Sequence, residues 1–387
     1  MIMSSSIYSM LYCARPHSIG SIRPWMMSHP FPFFNALQKK APIHFLKRQQ
    51  TWIVSSYEYC EEVLQRSDDF STRVLLPSLG ECLVTQQDEQ HKSHRQWMNG
   101  FFSELHKDQR DGFAKKLAEQ VVDKVKPGNT YRLKTDITQK YTDALSMKVL
   151  GIYEDKMEDL YAILGEIKGS DRKGIAEEKV EHYLNQITAI SKPGGLLHSI
   201  VMDELISPKV KLNDTYLMID AGFLTIRQSL ANMTSGLSRN QAMQEYLYSS
   251  NCDYRHFINE SFRLYSPFFS TIRRAKKINT LGNQIIQQGD QLLICLMSAN
   301  RDQIVFKDPH RFDPKRRNVQ KHLAYGDGIH RCIGQHISNS FMADFFEVLK
   351  TKQLKPVVQN YRKDFQADSN NLMISGVGDI SVSFTPC

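Results

Sequence analysis

Between residues 89 and 265 apolar side chains recur at helical spacing almost without a gap. The breaks are few: Pro127-Gly128, Pro193-Gly194-Gly195 and Pro208. Within this run, 211–237 reads as one long, mostly apolar helix opened by Asn213 or Asp214 as its cap, and 253–265 as another. Around it, Phe33, Phe34 and Leu37 give a short helical stripe, 57–66 an amphipathic helix and 333–351 a closing helix. Strand signals are short: 43–47 with 51–54 as a pair, 272–286 turning at Gly282, 291–296 after Gly289-Asp290, and weak pairs after the closing helix. Residues 72–88 and 301–331 read as loops. There is no repeat and no low-complexity linker. The expected fold is mainly α with a minor β portion, in a single large domain over 27–387.

At 387 residues, with 41% apolar and 23% charged side chains, the chain can bury a sizeable core. Lys and Arg exceed Asp and Glu by 49 to 41, but the excess of +8 is spread along the chain rather than gathered into a nucleic-acid arm. It suits a solvated surface or a patch for an acidic protein partner. No run of about 18 apolar residues occurs, so no transmembrane helix is expected. The seven cysteines are odd in number and form no Cys-x-x-Cys pair, which argues against a disulfide framework and for a reducing, cytoplasmic setting. Residues 1–57 lack Asp and Glu. With Ser4 to Ser6, Arg15 and Arg23, that start can resemble an organelle transit peptide. The preferred reading is a disordered extension, 1–26, upstream of a start near Met26 or Met27.

Residues 325–334 read Tyr-Gly-Asp-Gly-Ile-His-Arg-Cys-Ile-Gly. Three glycines in ten residues permit backbone that other residues resist, and let the chain lie against a flat ligand. Cys332 follows at the mouth of a helix, whose positive end, with His330 and Arg331, should favour thiolate. Such a thiolate is a soft ligand for iron. The residues also admit a buried structural cysteine, or a zinc site of Cys332 and His336 with His330 or His322.

The segment resembles the haem-binding signature of the cytochrome P-450 family, aromatic-Gly-x-Gly-x-His/Arg-x-Cys-x-Gly, through Tyr325, Gly326, Gly328, His330, Cys332 and Gly334. Tyr325 stands where Phe is usual. The resemblance implies that Cys332 is the axial ligand of haem b and that its thiolate favours O–O cleavage. Further segments resemble the family in the family's order. Glu260 and Arg263, with Arg316 in the later loop 306–316, match a buried Glu-Arg-Arg network; Ala299-Asn-Arg-Asp302 is a recurrent phrase just upstream. His91 and Arg95, four apart on a helix, together with Arg273 and His330, match groups that bind the haem propionates. Ala221-Gly222-Phe223-Leu224-Thr225 resembles the oxygen-binding groove, in which Thr225 would relay protons, but Leu224 replaces the family's acid. Arg227, two residues on, is a surface or loop-paired arginine or an anion binder. Gln335, Asn339 and Phe341 depart from the small, basic and acidic residues common in bacterial members.

The resemblance implies a haem-thiolate monooxygenase of bacterial type that inserts one atom of O2 into a mainly apolar small substrate, expected in specialised-metabolite biosynthesis. The substrate would be a free small molecule or one carried on a protein. No reductase portion is expected, so electrons would come from a ferredoxin or flavodoxin with its reductase, meeting Arg317, Lys321 and Arg331. The protein is expected to be monomeric, with neither nucleic acid nor membrane as partner. By family position Leu75, Leu76, Leu79, Leu83, Phe223, Phe268, Phe269, Met373 and Ile374 would line the pocket; all equally suit a core. The missing acid at 224 keeps desaturation, ring closure, coupling and peroxide-driven chemistry open, and a non-catalytic haem protein is the further alternative.

Overall fold

Helical period becomes helix where each apolar stripe finds a partner. The computed structural model describes residues 30–47, 50–75, 80–109, 111–169, 176–359, 366–368 and 371–387; the extension expected at 1–26 lies outside them. Five helices position the site: α1 (Asp88–Gln109), α2 (Pro208–Leu217), α3 (Leu224–Arg239), α4 (Tyr254–Tyr265) and α5 (Gln335–Thr351). Their apolar faces meet in the main core, with Leu230, Met233 and Leu237 of α3, Phe257 and Ile258 of α4, and Phe341, Phe345 and Phe346 of α5. Helix Phe113–Val122 buries Ala114, Ala118 and Val122, one per turn, and packs on α5.

The minor β portion is a five-stranded sheet and smaller pairings. In the large sheet β1 (Ile43–Leu46), β2 (Thr51–Val54), β3 (Phe70–Ser71), β4 (Thr271–Ala275) and β5 (Gln291–Ile294) lie in the order β1-β2-β5-β4-β3. Only β2 and β5 run parallel. All four residues of β2 are buried, as a central strand covered on both faces requires. Near the C-terminus Ser381–Pro386 pairs antiparallel with both Thr130–Arg132 and Leu354–Val358. Among the described residues no helix is long and apolar enough to cross a membrane.

The long helix departs from its sequence expectation in two ways. It begins at Pro208, the N1 residue after Ser207, because proline costs nothing where the backbone N–H has no partner. Asn213 and Asp214 are therefore not caps. Both are buried inside α2, and their side chains serve residues 81 and 83 of another segment. Between α2 and α3 the helix also widens into a π-turn, Met218–Phe223. At the start of α4, Asp253 is the cap and accepts the backbone N–H groups of Arg255 and His256.

Candidate active site

The glycine loop works through two left-handed residues, Gly326 and Gly328, both at φ +68. They fold the chain back so that the Cys332 N–H donates to the Tyr325 carbonyl at 3.0 Å. Tyr325 stacks on Phe262 of α4, ring centroids 4.4 Å apart, and its hydroxyl donates to Asn339 Oδ1 at 2.5 Å. Two departures from the family pattern thus answer one another: the hydroxyl added at 325 finds its acceptor at 339.

Cys332 is exposed, yet burial is the main influence on its thiol and pushes it up. A residue lining an interior cleft combines the two. Backbone N–H groups of Gly334 and Gln335 at the mouth of α5, and the charges of Arg95 and Arg331, pull the other way without prevailing. The expected net preference for thiolate is therefore not met by the protein groups alone. His330 adds no charge: burial, then His91, Arg273 and Arg95, bring its imidazole down to about 3.

Those same four groups form a cluster of donors. His91 is 3% exposed, its Nε2 has no hydrogen-bond partner, and its ring centre lies 4.4 Å from that of His330. Arg273 is buried, donates among the described residues to the Ile272 carbonyl and Thr271 Oγ1, and is brought down to about 10 by burial. Arg95 donates to the Arg331 carbonyl at 2.7 Å. None of the four has an acidic partner among the described residues. Buried cations are normally paired, so this cluster is built for an anion.

The widened helix carries the small residues expected of the groove. Ala221 is exposed between the buried Ile219 and Phe223, and a Cβ on Gly222 would meet nothing within 4 Å. A Cβ on Gly326 would likewise meet nothing within 4 Å, and one on Gly334 would meet only Phe102, at 3.7 Å. Thr225 Oγ1 donates to the Ala221 carbonyl at 2.6 Å and lies 3.1 Å from that of Gly222. Arg227 is no anion binder here, since it donates to Asp143, Tyr161 and Thr142. Asp220 lies four residues before Leu224 and so on the same helix face. With Asp214 engaged elsewhere, it is the helix's other acid. The i, i+4 spacing to Leu224 would have revealed it in the sequence.

Glu260, Arg263 and Arg316 meet in the interior. Arg263 grips both Glu260 carboxylate oxygens at 2.8 Å, and Arg316 Nε reaches Oε1 at 2.9 Å. Their remaining donors hold loop carbonyls of Asn300, Pro309, Lys307 and Arg311. The network thereby fixes the segment that leads to Cys332.

The pocket residues scatter. Phe223 sits in the main core, Phe269 packs 5.2 Å from Phe34 beside the large sheet, and Phe268 lies against a third cluster. Leu83 is buried and Leu75 belongs with Phe269. Leu76 and Leu79, and the side chains of Met373 and Ile374, lie outside the described residues. Among the described residues no three His, Cys, Asp or Glu side chains gather as a metal site, so the zinc reading has no support. His322 is instead a buried neutral histidine. Its Nε2 lies 3.1 Å from Asn259 Oδ1, its Nδ1 accepts the Ala324 N–H, and burial brings it down from 6.5 to about 3. The unfolded chain takes up this proton below pH 6.5 while the fold does not, so stability falls as pH drops from there toward 3. The slope is at most about 1.4 kcal/mol per pH unit. Urea unfolding between pH 7 and 5 should be less acid-sensitive in His322→Gln than in the parent.

An exposed thiol under helix N–H groups, a buried anion site without an acid and a helix opened at small residues together suit a flat, metal-bearing dicarboxylate, the class of haem-thiolate proteins. A family model described as Cytochrome P450 matches residues 254–368. Putative cytochrome P450 YjiB of Bacillus subtilis (strain 168) is 24% identical over 329 residues, 79% of this chain and 83% of its own. Cytochrome P450 119 of Sulfolobus acidocaldarius is 27% identical over 335 residues, 79% and 86% of the two chains. In fold, Mycobacterium marinum cytochrome P450 CYP150A6 in its substrate-free form matches at TM-score 0.80 and 20% identity, over 94% of this chain and 97% of its own. Residues 254–368 thus resemble the cytochrome P450 family, and the chain as a whole has the cytochrome P450 fold.

Proposed function

We propose that Cys332 ligates the iron of haem b, within a haem domain over 27–387, and that the protein inserts one oxygen atom of O2 into a small, mainly apolar substrate. The observation that carries this is the acid-free cluster of His91, Arg95, Arg273 and His330, tied to Cys332 through the charge of Arg95. These four would hold the two propionates. Gly326, Gly334 and Tyr325 would let the loop lie against the ring, and Ala221 and Gly222 would leave room on the opposite side. When bound, haem supplies the oxygen activation, and a thiolate ligand favours O–O cleavage. Thr225 carries its proton at Oγ1, against two helix carbonyls, and is the hydroxyl placed to pass it into the groove. Electrons would come from a separate ferredoxin or flavodoxin with its reductase, docking where Arg317 and Lys321 are exposed beside the half-buried Arg331.

The test is the spectrum of the reduced protein under carbon monoxide. A strongly red-shifted Soret band is expected, and its loss in Cys332→Ala. A parent protein that holds haem without that band, or a Cys332→Ala variant that keeps it, overturns the assignment. In Thr225→Ala, product formed per oxygen consumed should fall several-fold; unchanged coupling would route protons elsewhere. A second reading, atypical oxidation such as desaturation or peroxide-driven chemistry, is favoured by one feature: Leu224 carries no proton beside Thr225. Comparing products made with a redox partner and with peroxide separates the two, and haem without turnover under either would mark a non-catalytic protein.

A further inference from the structure

Outside the haem-side cluster, one set of buried polar groups takes no part in the reaction described above. Asp214 of α2 is fully buried, and its Oδ1 accepts the Leu83 N–H at 2.9 Å. Its Oδ2 lies 2.7 Å from His94 Nε2 of α1, a close contact without the alignment of a hydrogen bond. On the other side of the ring, His94 Nδ1 lies 2.6 Å from Gln86 Oε1. Next to Asp214, Asn213 Nδ2 donates to the Glu81 carbonyl at 2.8 Å. Segment 80–87 is thus tied to α2 at residues 81 and 83 and to α1 at residue 86. One turn along α1, Trp97 packs its ring at a tilt against His94, centroids 5.5 Å apart, and donates to Asp203, which holds the imidazole in place.

An imidazole and a carboxylate are costly to bury together, and both are buried here. Their placement has a consequence for the site. Asp214 lies seven residues before Ala221, about 10 Å along a helix axis. That is the reach of a small organic molecule lying along the groove. His94 lies between His91 and Arg95 on the helix that carries the haem-side donors. One pair therefore sets the separation of three parts: the donor helix, the groove helix and the segment beside them.

We propose that His94 and Asp214 are positioning residues that clamp segment 80–87 over the groove and so set which substrates the chamber accepts, without contributing to haem ligation. The inference rests on the haem-thiolate reading for what the chamber holds, but the clamp itself does not depend on it. Segment 80–87 has internal turns of its own, with Thr85 N–H donating to the Cys82 carbonyl and Thr85 Oγ1 to that of Gly80. Released from Asp214, it moves as a unit rather than unravelling.

The test uses the full-length haem-loaded protein with Asp214→Asn, His94→Leu and His94→Gln. Two spectral titrants separate the effects: imidazole, which needs only the iron, and 4-phenylimidazole, which must also fit the chamber. In Asp214→Asn and His94→Leu the Kd for 4-phenylimidazole should change at least fivefold, while that for imidazole stays within twofold and the reduced carbon monoxide spectrum is unchanged. Amide exchange over 80–87 should quicken at least tenfold, with α4 unaffected. His94→Gln keeps an N–H for Asp214 and should restore most of both. If both titrants shift together, or neither shifts although exchange quickens, the pair is structural only and the proposal fails. Unchanged exchange refutes the clamp. Should the parent lack the thiolate band, the haem reading fails on its own, and amide exchange still reads the clamp.

Discussion

Glu260→Gln should cost the fold about 3–5 kcal/mol, because it leaves two fully desolvated guanidiniums facing an uncharged amide. Arg263 is 0% exposed and Arg316 4%, so water cannot replace the lost carboxylate. Against a total stability of about 5–15 kcal/mol, the loss brings many such proteins to the edge of unfolding. The damage should also be directional. Arg263 and Arg316 are donors to carbonyls between 300 and 311, the stretch that precedes the cysteine loop. Denaturant unfolding should show the loss of stability, and the surviving folded fraction should show less haem per chain. Arg316→Met should cost less, because Glu260 keeps the two-point grip of Arg263. Equal stability of Glu260→Gln and the parent would mean that the network is dispensable.

Gly328→Ala should be nearly as damaging, and Gly326→Ala is its control. Both glycines sit at φ +68, where a Cβ costs roughly 1–2 kcal/mol. Their surroundings differ. A Cβ at 328 would fall on the Leu64 carbonyl oxygen, a backbone atom held by its own helix, whereas at 326 it would meet no protein atom within 4 Å. Gly328→Ala must therefore move the loop or the helix at Tyr57–Gln65, and Cys332 is four residues away. The apoprotein should lose several kcal/mol in Gly328→Ala and only the roughly 1–2 kcal/mol of strain in Gly326→Ala. Both should impair haem uptake, the first by displacing the ligand and the second by filling the space the ring needs. Unfolding of the two apoproteins, followed by haem titration, distinguishes these causes.

What the sequence made legible was whatever is encoded locally or in fixed order. Helical period located the helices, α4 among them at 253–265, and the glycines of 325–334 announced a loop with unusual backbone. The Glu260-Arg263 spacing indicated a shared face, and its Arg316 partner came from the family resemblance. The misreading of Asn213 and Asp214 has a physical origin. A short polar side chain near a helix start has the same local signature whether it caps its own backbone or accepts an N–H from residue 83, and only the tertiary fold distinguishes them. His94 was hidden for the same reason: its partner is 120 positions away, and its neighbours His91 and Arg95 offered a simpler pattern. Tyr325 and Asn339 each looked like an isolated departure until the hydroxyl and the amide were seen in contact. The expected thiolate preference at Cys332 weighed helix and cation effects that do operate, but the desolvation that outweighs them is set by tertiary packing.

The π-turn at Met218–Phe223 acts as a phase shifter. A single α-helix through 208–239 would lock the angular positions of all its residues to one 100° step, so that what α2 presents to its neighbours would dictate what α3 presents to its own. The wider turn uncouples them. Upstream, Lys211, Asn213 and Asp214 can all point to the chain segments around 81, 83 and 201. Downstream, Gln228 and Asn232 turn to Val377 and Tyr265. Removing one residue between 218 and 223 would deflect one half by about 100° against the other and put Asp214 and Thr225 out of phase. The seam between the halves holds Ala221 and Gly222, so its length sets where these small residues fall around the helix.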